Sequence, residues 1–420
     1  MIFWAYNILL TLLSLVWVPW MMWRARKRKE GPNWKQRTGD LPIEAPAKGV
    51  TRVWVHAVSV GEVMAAIPVL RELRSMAPEV EIVLSTTTSS GQTTAKERAE
   101  GLYNHLVYYP IDVLRFVVAA MMRVRPKVVA VMETELWFNF LWAAKQFGAR
   151  TILLNGRVSD RSFGRSMRVR PYYRALFTNL DRALVQTRND AERLSALGFA
   201  EPEVVGSTKY DGAVEEPVAK NWREEFGIPS GAQVVVVGST RSSAEEELVA
   251  DAISGLPKSI YVVHAPRHIE RAGDVVATYQ AKLKEPIALR SSGQHARILV
   301  LDTYGELDSA YSVAEVAVVG GGFDDLGGQN LIQPLAKGVP VIHGPHMQNF
   351  RDVADQSVAC GASIVARTSS ELADALKRLL ADPEEQRRMG EAAKSLIHAN
   401  LGAGKRCAEA IVEALAAEPA

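Results

Sequence analysis

Short apolar runs that stay continuous in Val, Ile, Leu and Ala, without alternating polar residues, recur along this chain with helical patterns between them. Such runs lie at 53–58, 82–86, 128–132, 151–154 and 182–185, and stretches such as 63–75 and 113–124 have helical spacing. The pattern restarts at 233–237, 260–263, 298–301, 316–319, 340–342 and 363–365. A strand apolar on both faces must be covered on both faces, which is the situation of a parallel sheet between helices. The pattern therefore predicts an α/β chain made of two βαβ domains. The length of 420 residues agrees, because one core stops growing well before that size. The expected boundaries are 50–206 for the first domain, 207–222 for a Gly-, Pro- and Asp-bearing linker, and 223–420 for the second. The stretch 384–417 reads as helix.

Charge and cysteine content narrow the function. Basic and acidic residues nearly balance, 49 against 47, so no nucleic-acid partner is expected. The two cysteines, Cys360 and Cys407, have no CxxC spacing. Neither a disulfide framework nor a structural zinc site is indicated, and a reducing compartment fits.

Residues 2–23 contain no charged side chain, and Trp4, Tyr6, Trp17, Trp20 and Trp23 lie towards the two ends of this segment. A helix of that length matches the roughly 30 Å hydrocarbon layer, and aromatic residues favour its interfaces. Arg24, Arg26, Lys27, Arg28 and Lys29 follow. The reading is a membrane anchor over 1–23, either single-pass or interfacial, and a basic juxtamembrane segment over 24–49. The positive-inside rule puts the N-terminus outside and the globular domains in the cytoplasm. Asn7 and Pro19 weaken the span, and the basic cluster attracts anionic headgroups.

Several motifs sit where strands end. Ser59-Val60-Gly61-Glu62 joins the first strand to a helix, at the rim where open α/β sheets bind ligands. A carboxylate there can take a proton from a sugar hydroxyl. The same Ser-x-x-Glu spacing is also a capping box, the simpler reading of this stretch alone, and the helix dipole is expected to lower the pKa of Glu62. Met132-Glu133-Thr134-Glu135-Leu136-Trp137 ends another strand. If strand geometry continues, its two carboxylates point the same way; they either serve the chemistry or bind loop amides and Arg157. The hydroxyl-rich turn 85–91, with Thr87, lines an acceptor groove or caps a helix. Arg157 is suited to a phosphate or carboxylate, or to a surface ion pair. In the second half, Gly238-Ser239-Thr240-Arg241 begins the first turn, and Pro266-Arg267-His268 follows a strand. Gly320-Gly321-Gly322 and Gly327-Gly328-Gln329-Asn330-Leu331-Ile332-Gln333 suggest a phosphate site with free backbone N–H donors. This is neither a Walker A loop nor a dinucleotide fingerprint.

Taken in order, His56-Ala57-Val58-Ser59-Val60-Gly61-Glu62, Met132 to Trp137, Gly206-Ser207-Thr208-Lys209, Pro266-Arg267-His268, Gly305-Glu306-Leu307, Gly327-Gly328-Gln329-Asn330 and Gly344-Pro345-His346 resemble the Kdo (3-deoxy-D-manno-octulosonic acid) transferase family. The likeness runs from about residue 2 to about residue 400. It implies a GT-B fold, two Rossmann-like domains with a cleft between them. It also implies an inner-membrane enzyme of lipopolysaccharide synthesis that transfers Kdo from CMP-Kdo to a lipid A precursor with inversion and without a cofactor or catalytic metal. Carried over by position, Glu62 is the base, and Glu133 and Lys209 stabilise the transition state. Pro266, Arg267, Gly305, Glu306, Leu307, Asn330, Leu331, Ile332 and Gln333 bind the donor. Ser59, Gly61, Thr87 and Arg157 are the acceptor-side candidates. Gln333 departs from the family's glutamate, which grips ribose hydroxyls; the amide keeps one acceptor oxygen and loses the charge. Phe138 and Gly156 also depart, at positions that read as structural.

Two other classes fit parts of the sequence. One is a GT-B enzyme that uses another nucleotide sugar, which Gln333 invites. The other is a non-catalytic lipid- or nucleotide-sugar-binding membrane protein, which the joint presence of Glu62, Glu133 and Lys209 disfavours.

Overall fold

The computed structural model describes residues 1–27, 33–214 and 220–417. Arg28 and Lys29 of the basic cluster, and 215–219 of the expected linker, lie outside the described residues. The chain forms two compact units, Met1–Gly212 with Leu401–Ala420, and Ala213–Asn400. This differs from the expected division: the expected linker is split, with 207–212 in the first unit, and residues 401–417 pack with the first unit and not the second.

The first unit holds β1 (Arg52–His56), β2 (Glu81–Thr86), β3 (His105–Tyr108), β4 (Val128–Met132), β5 (Arg150–Gly156), β6 (Arg182–Val185) and β7 (Glu203–Val204). The strands pair in parallel in the order β3-β2-β1-β4-β5-β6-β7. Chain order therefore reverses between β1 and β4, and the loops leaving those two strands diverge to opposite faces. That opens a crevice at their carboxyl ends. Arg52 helps fix the register. Its Nε lies 2.7 Å from Glu81 Oε2, and the two residues are register partners across β1 and β2.

One face of this sheet is covered by the helix Val60–Met76 and by the C-terminal helix Ala403–Ala416, with Val63, Ala66, Leu70, Cys407 and Ile411 in one core. The two helices approach closely where Gly404 meets Pro68; a Cβ on Gly404 would stand 2.9 Å from the Pro68 Cβ. The other face buries Trp54, Met121, Phe140, Leu141 and Leu176.

The second unit holds β8 (Val234–Thr240), β9 (Tyr261–Pro266), β10 (Ile287–Leu289), β11 (Ile298–Val300), β12 (Val316–Val319), β13 (Val341–His343) and β14 (Ser363–Val365). These strands are also parallel, in the order β10-β11-β9-β8-β12-β13-β14. The reversal falls between β8 and β12, so the second crevice lies at the Gly238–Arg241 and Gly320–Phe323 loops.

The apolar runs became strands as expected. Those that went unread, β3, β7 and β10, are short strands at or next to sheet edges. The expected C-terminal helix is two, Pro383–Ala399 and Ala403–Ala416, parted at Gly402, whose φ of 90° no ordinary helical residue adopts. At the other end, Ile2–Lys27 is a single helix.

Candidate active site

Glu62 stands in the first turn of the helix that follows β1, at the crevice of the first unit. The expected capping box does not form. The carboxylate reaches back, with Oε2 accepting the Val58 N–H at 2.9 Å and Oε1 accepting the Ser59 hydroxyl at 3.3 Å, while the Ser59 side chain does not cap the helix. The expectation of a lowered pKa is corrected. Burial, with Glu62 only 9% exposed, pushes the carboxyl up to about 7, and the charges of Glu135 and Glu133 add to the shift. The Val58 and Ser59 bonds pull the other way and do not prevail. Desolvation of a charge outweighs a helix terminus that has this carboxylate folded against it.

Val58 links Glu62 to the next loop. Its carbonyl accepts the N–H groups of Thr87 and Thr88, at 3.2 and 3.1 Å, and the Thr88 hydroxyl at 3.1 Å. The turn 85–91 is therefore fastened to the Glu62 loop by backbone. Thr88 caps the helix Ser89–Arg98, and the Thr87 carbonyl receives Arg37 Nη2 at 2.6 Å. Below them His56 is fully buried and stacked 3.9 Å from Tyr109; burial pushes its pKa down to about 3, so it is a neutral core residue.

The strand geometry expected for 133–135 does not persist. β4 ends at Met132, and Glu133 turns left-handed at φ 52° while still donating its N–H to Leu154 O at 2.9 Å. A non-glycine residue in that region signals a constraint from its surroundings. Its Oε1 lies 2.7 Å from Lys209 Nζ. Glu135 instead accepts the Trp137 indole N–H at 2.8 Å, and burial holds its carboxyl above the usual range. Among the described residues neither carboxylate bonds to Arg157, which follows the end of β5.

Asn155, buried in β5 and also left-handed at φ 53°, joins the pieces. Its Oδ1 accepts the Thr208 N–H at 3.1 Å, its carbonyl accepts Gln186 Nε2 at 2.9 Å, and its Nδ2 stands 3.5 Å from Glu133 Oε1. It thereby holds the backbone beside Lys209 close to Glu133. Reading the sequence missed Asn155; the signal was an Asn-Gly pair at a strand end, where Asn tolerates the left-handed region.

In the second unit, Arg267 is exposed after Pro266, and among the described residues it keeps a backbone tie, N–H to Thr240 O at 2.9 Å. Glu306 is held by Arg290, at 2.9 Å, and by the Thr303 hydroxyl. The loop Gly305–Leu307 would therefore serve a ligand mainly through its backbone. Leu331 and Ile332 are buried, and Gln333 is half-buried. The glycine turn is less open than expected, because several of its amides are already engaged. Gly320 donates to Gly238 O at 2.8 Å, Gly328 to Gly321 O at 2.7 Å, and Ile332 to Asn330 Oδ1 at 3.0 Å. Buried Glu245, a second residue missed in the sequence, accepts the N–H groups of Arg241 at 2.9 Å and Phe323 at 3.1 Å. Ser242-x-x-Glu245 is a capping box, and that spacing was its signal.

Two parallel seven-stranded sheets, each with a reversal of strand order, make the GT-B fold. MurG of Acinetobacter baumannii, 15% identical, superposes with a TM-score of 0.55 over 86% of this chain and 99% of its own. Residues 32–212 match the family model of 3-deoxy-D-manno-octulosonic-acid transferase, and residues 219–396 match that of glycosyl transferases group 1. The 3-deoxy-D-manno-octulosonic acid transferase of Bordetella pertussis is 34% identical over 95% of this chain and 96% of its own. That of Chlamydophila psittaci is 30% identical over 83% and 82%. The chain belongs to the Kdo transferase family.

Proposed function

We propose that this enzyme transfers Kdo from CMP-Kdo to a hydroxyl of a lipid A precursor with inversion, and that Glu62 is its general base. The observation that carries the reading is the buried Glu62 carboxylate at the crevice of the first sheet, with its pKa pushed up to about 7. A base is most effective when its pKa lies near the working pH. In the proposed step the acceptor oxygen bonds to the anomeric carbon of Kdo and gives its proton to Glu62. The bond from that carbon to the phosphate oxygen breaks, and CMP leaves with the electron pair. Glu62 then releases the proton to solvent.

The Lys209 ammonium, held 2.7 Å from Glu133, offsets negative charge that develops in the transition state. Ser59, Gly61, Thr87 and Arg157 are assigned to the acceptor. Pro266, Arg267, Gly305 to Leu307 and Asn330 to Gln333 are assigned to the donor. The enzyme works at the bacterial inner membrane with its catalytic units in the cytoplasm; the apolar helix Ile2–Trp20, of mean hydropathy 1.7, supports that location.

Membranes carrying the chain, given CMP-Kdo and a lipid A precursor, should yield a lipid heavier by one or more Kdo increments in mass spectrometry. The Glu62→Gln enzyme should yield none. A folded native enzyme that binds both substrates without forming product defeats the reading. Gln333 favours one alternative, another nucleotide sugar as donor; strong displacement of bound CMP by UDP would support it.

A further inference from the structure

The helix Ile2–Lys27 is fastened to the first unit at its beginning. The Tyr6 hydroxyl donates to Asp112 Oδ2 at 2.7 Å. Asn7 and Asn139 exchange side-chain amide bonds at 3.0 and 2.9 Å. The rings of Phe3 and Trp142 lie 4.8 Å apart, and those of Tyr6 and Phe138 5.6 Å. These are contacts of the helix's first two turns with the folded core of the first unit.

The chain is fastened again just past the helix. Gln36 Oε1 accepts the Tyr108 N–H at 2.7 Å, and Arg37 donates to the Thr87 carbonyl at 2.6 Å. Between these two attachments the helix carries Leu9, Leu12, Leu15 and Val16 exposed by 56 to 76%, with no polar face. Thr11 and Ser14 return their hydroxyls to the helix's own carbonyls. A contiguous apolar surface of this length does not rest in water, and a helix apolar all round lies deeper than the headgroup boundary.

If the helix crossed the bilayer from its docked start, its far end would lie on the other side. The return from Lys27 to Asn33 covers six residues, at most ~21 Å of extended chain. The hydrocarbon layer is roughly 30 Å thick, and unpaired backbone is not tolerated in it. If instead the N-terminus were outside, Tyr6 and Asn7 could not reach Asp112 and Asn139.

We infer that this helix is a monotopic anchor, immersed in one leaflet with both ends on the side of the membrane that bears the first unit. The orientation expected from the basic cluster, with the N-terminus outside, is thereby replaced. The inference rests on the membrane location proposed above and on none of the chemistry. It carries one structural corollary. Asp112 also accepts the N–H groups of Asn139 and Phe140, at 3.2 and 2.9 Å, in the first turn of the helix that follows the Glu133–Trp137 loop. The seat of the anchor and the base of that loop thus share one carboxylate.

The test uses the full chain with an epitope tag before Met1, in sealed inner-membrane vesicles of both orientations. Fractionation comes first; recovery of the chain only in the soluble fraction removes the location, and the inference with it. With the chain in the membrane, protease should spare the tag in right-side-out vesicles and digest it in inverted ones. Digestion from outside overturns the inference. In a Cys360→Ser background, Asn7→Cys with Asn139→Cys should crosslink on mild oxidation of the vesicles. Failure to crosslink while the tag stays protected overturns the docking of the helix start.

Discussion

Lys209 and Glu133 form an ion pair of 2.7 Å although they are carried by different segments, and buried Asn155 is bonded to the backbone beside one and lies within reach of the other's carboxylate. Among the described residues the pair leaves two further carboxylates nearby, Glu62 and Glu135, without a cation of their own, and each of these has a raised pKa. The one lysine among these three carboxylates thus sits on Glu133, while burial holds the Glu62 carboxyl near 7.

Glu62→Gln should separate activity from stability. With Glu62 as the base proposed above, its loss should lower kcat by about 10²–10⁴-fold. The carboxyl titrates near 4.5 when exposed and near 7 in the folded chain, so it contributes most to stability below pH 4.5 and loses that contribution as pH rises through about 7. At pH 8 the folded native enzyme carries a buried charge. The glutamine variant should then be more stable by up to ~3 kcal/mol, an order-of-magnitude ceiling. Chemical denaturation at pH 5 and pH 8 checks this; an equal difference at both values contradicts it. Asp112, also pushed up to about 7 by burial, should leave a residual slope of the same sign in the variant.

The native pH profile should show its acid limb near pH 7. With Glu62 required as carboxylate, kcat/KM should fall about tenfold per pH unit below that value. A limb near pH 4.5 would mean that the residue is not the base or that substrate relieves its burial.

Lys209→Met should cost activity much more than stability. The pair is partly exposed, so its loss should lower stability by no more than ~1 kcal/mol. Activity should fall about 10²–10³-fold if the ammonium offsets transition-state charge. Equal catalytic effects of Lys209→Met alone and combined with Glu133→Gln would show that the two act as a unit.

Asn155→Leu should be among the more destabilising single changes in the first unit. It orphans the buried Thr208 N–H and places a branched side chain at φ 53°. These effects are each worth about 1–3 kcal/mol. Asn155→Asp keeps the acceptor and should cost less stability, yet it sets a fourth carboxylate beside Glu133 and should weaken catalysis. Thermal melts and initial rates on the same preparations separate the two.

Gly238→Ala should destabilise the second unit, because its Cβ would lie 1.9 Å from the Tyr311 hydroxyl oxygen. A clash with a buried side chain costs about 1–3 kcal/mol. Adding Tyr311→Phe should recover part of that loss, which a denaturation series on the four variants measures.

Most of the architecture was legible because buried parallel strands must be apolar on both faces, as in 128–132 and 316–319. β3, β7 and β10 escaped because short strands at the margin of a sheet need no such run. Glu62, Glu133 and Lys209 were legible as motif residues, but their electrostatics were not. The pKa of Glu62 follows from burial and from Glu133 and Glu135, which sequence distance does not encode. Asn155 and Glu245 were hidden for another reason. Each does its work by bonding backbone amides of remote loops, and only the fold brings those amides within reach.

The return of Ala403–Ala416 to the first sheet has a consequence for biosynthesis. The helix that carries Glu62 packs through Pro68 against Gly404, in a stretch of chain made only after the second unit. On the ribosome, the unit that begins first must therefore be completed last, after the unit inserted into it has emerged whole. A messenger truncated near its end would spare the second unit and leave the helix of Glu62 without its neighbour.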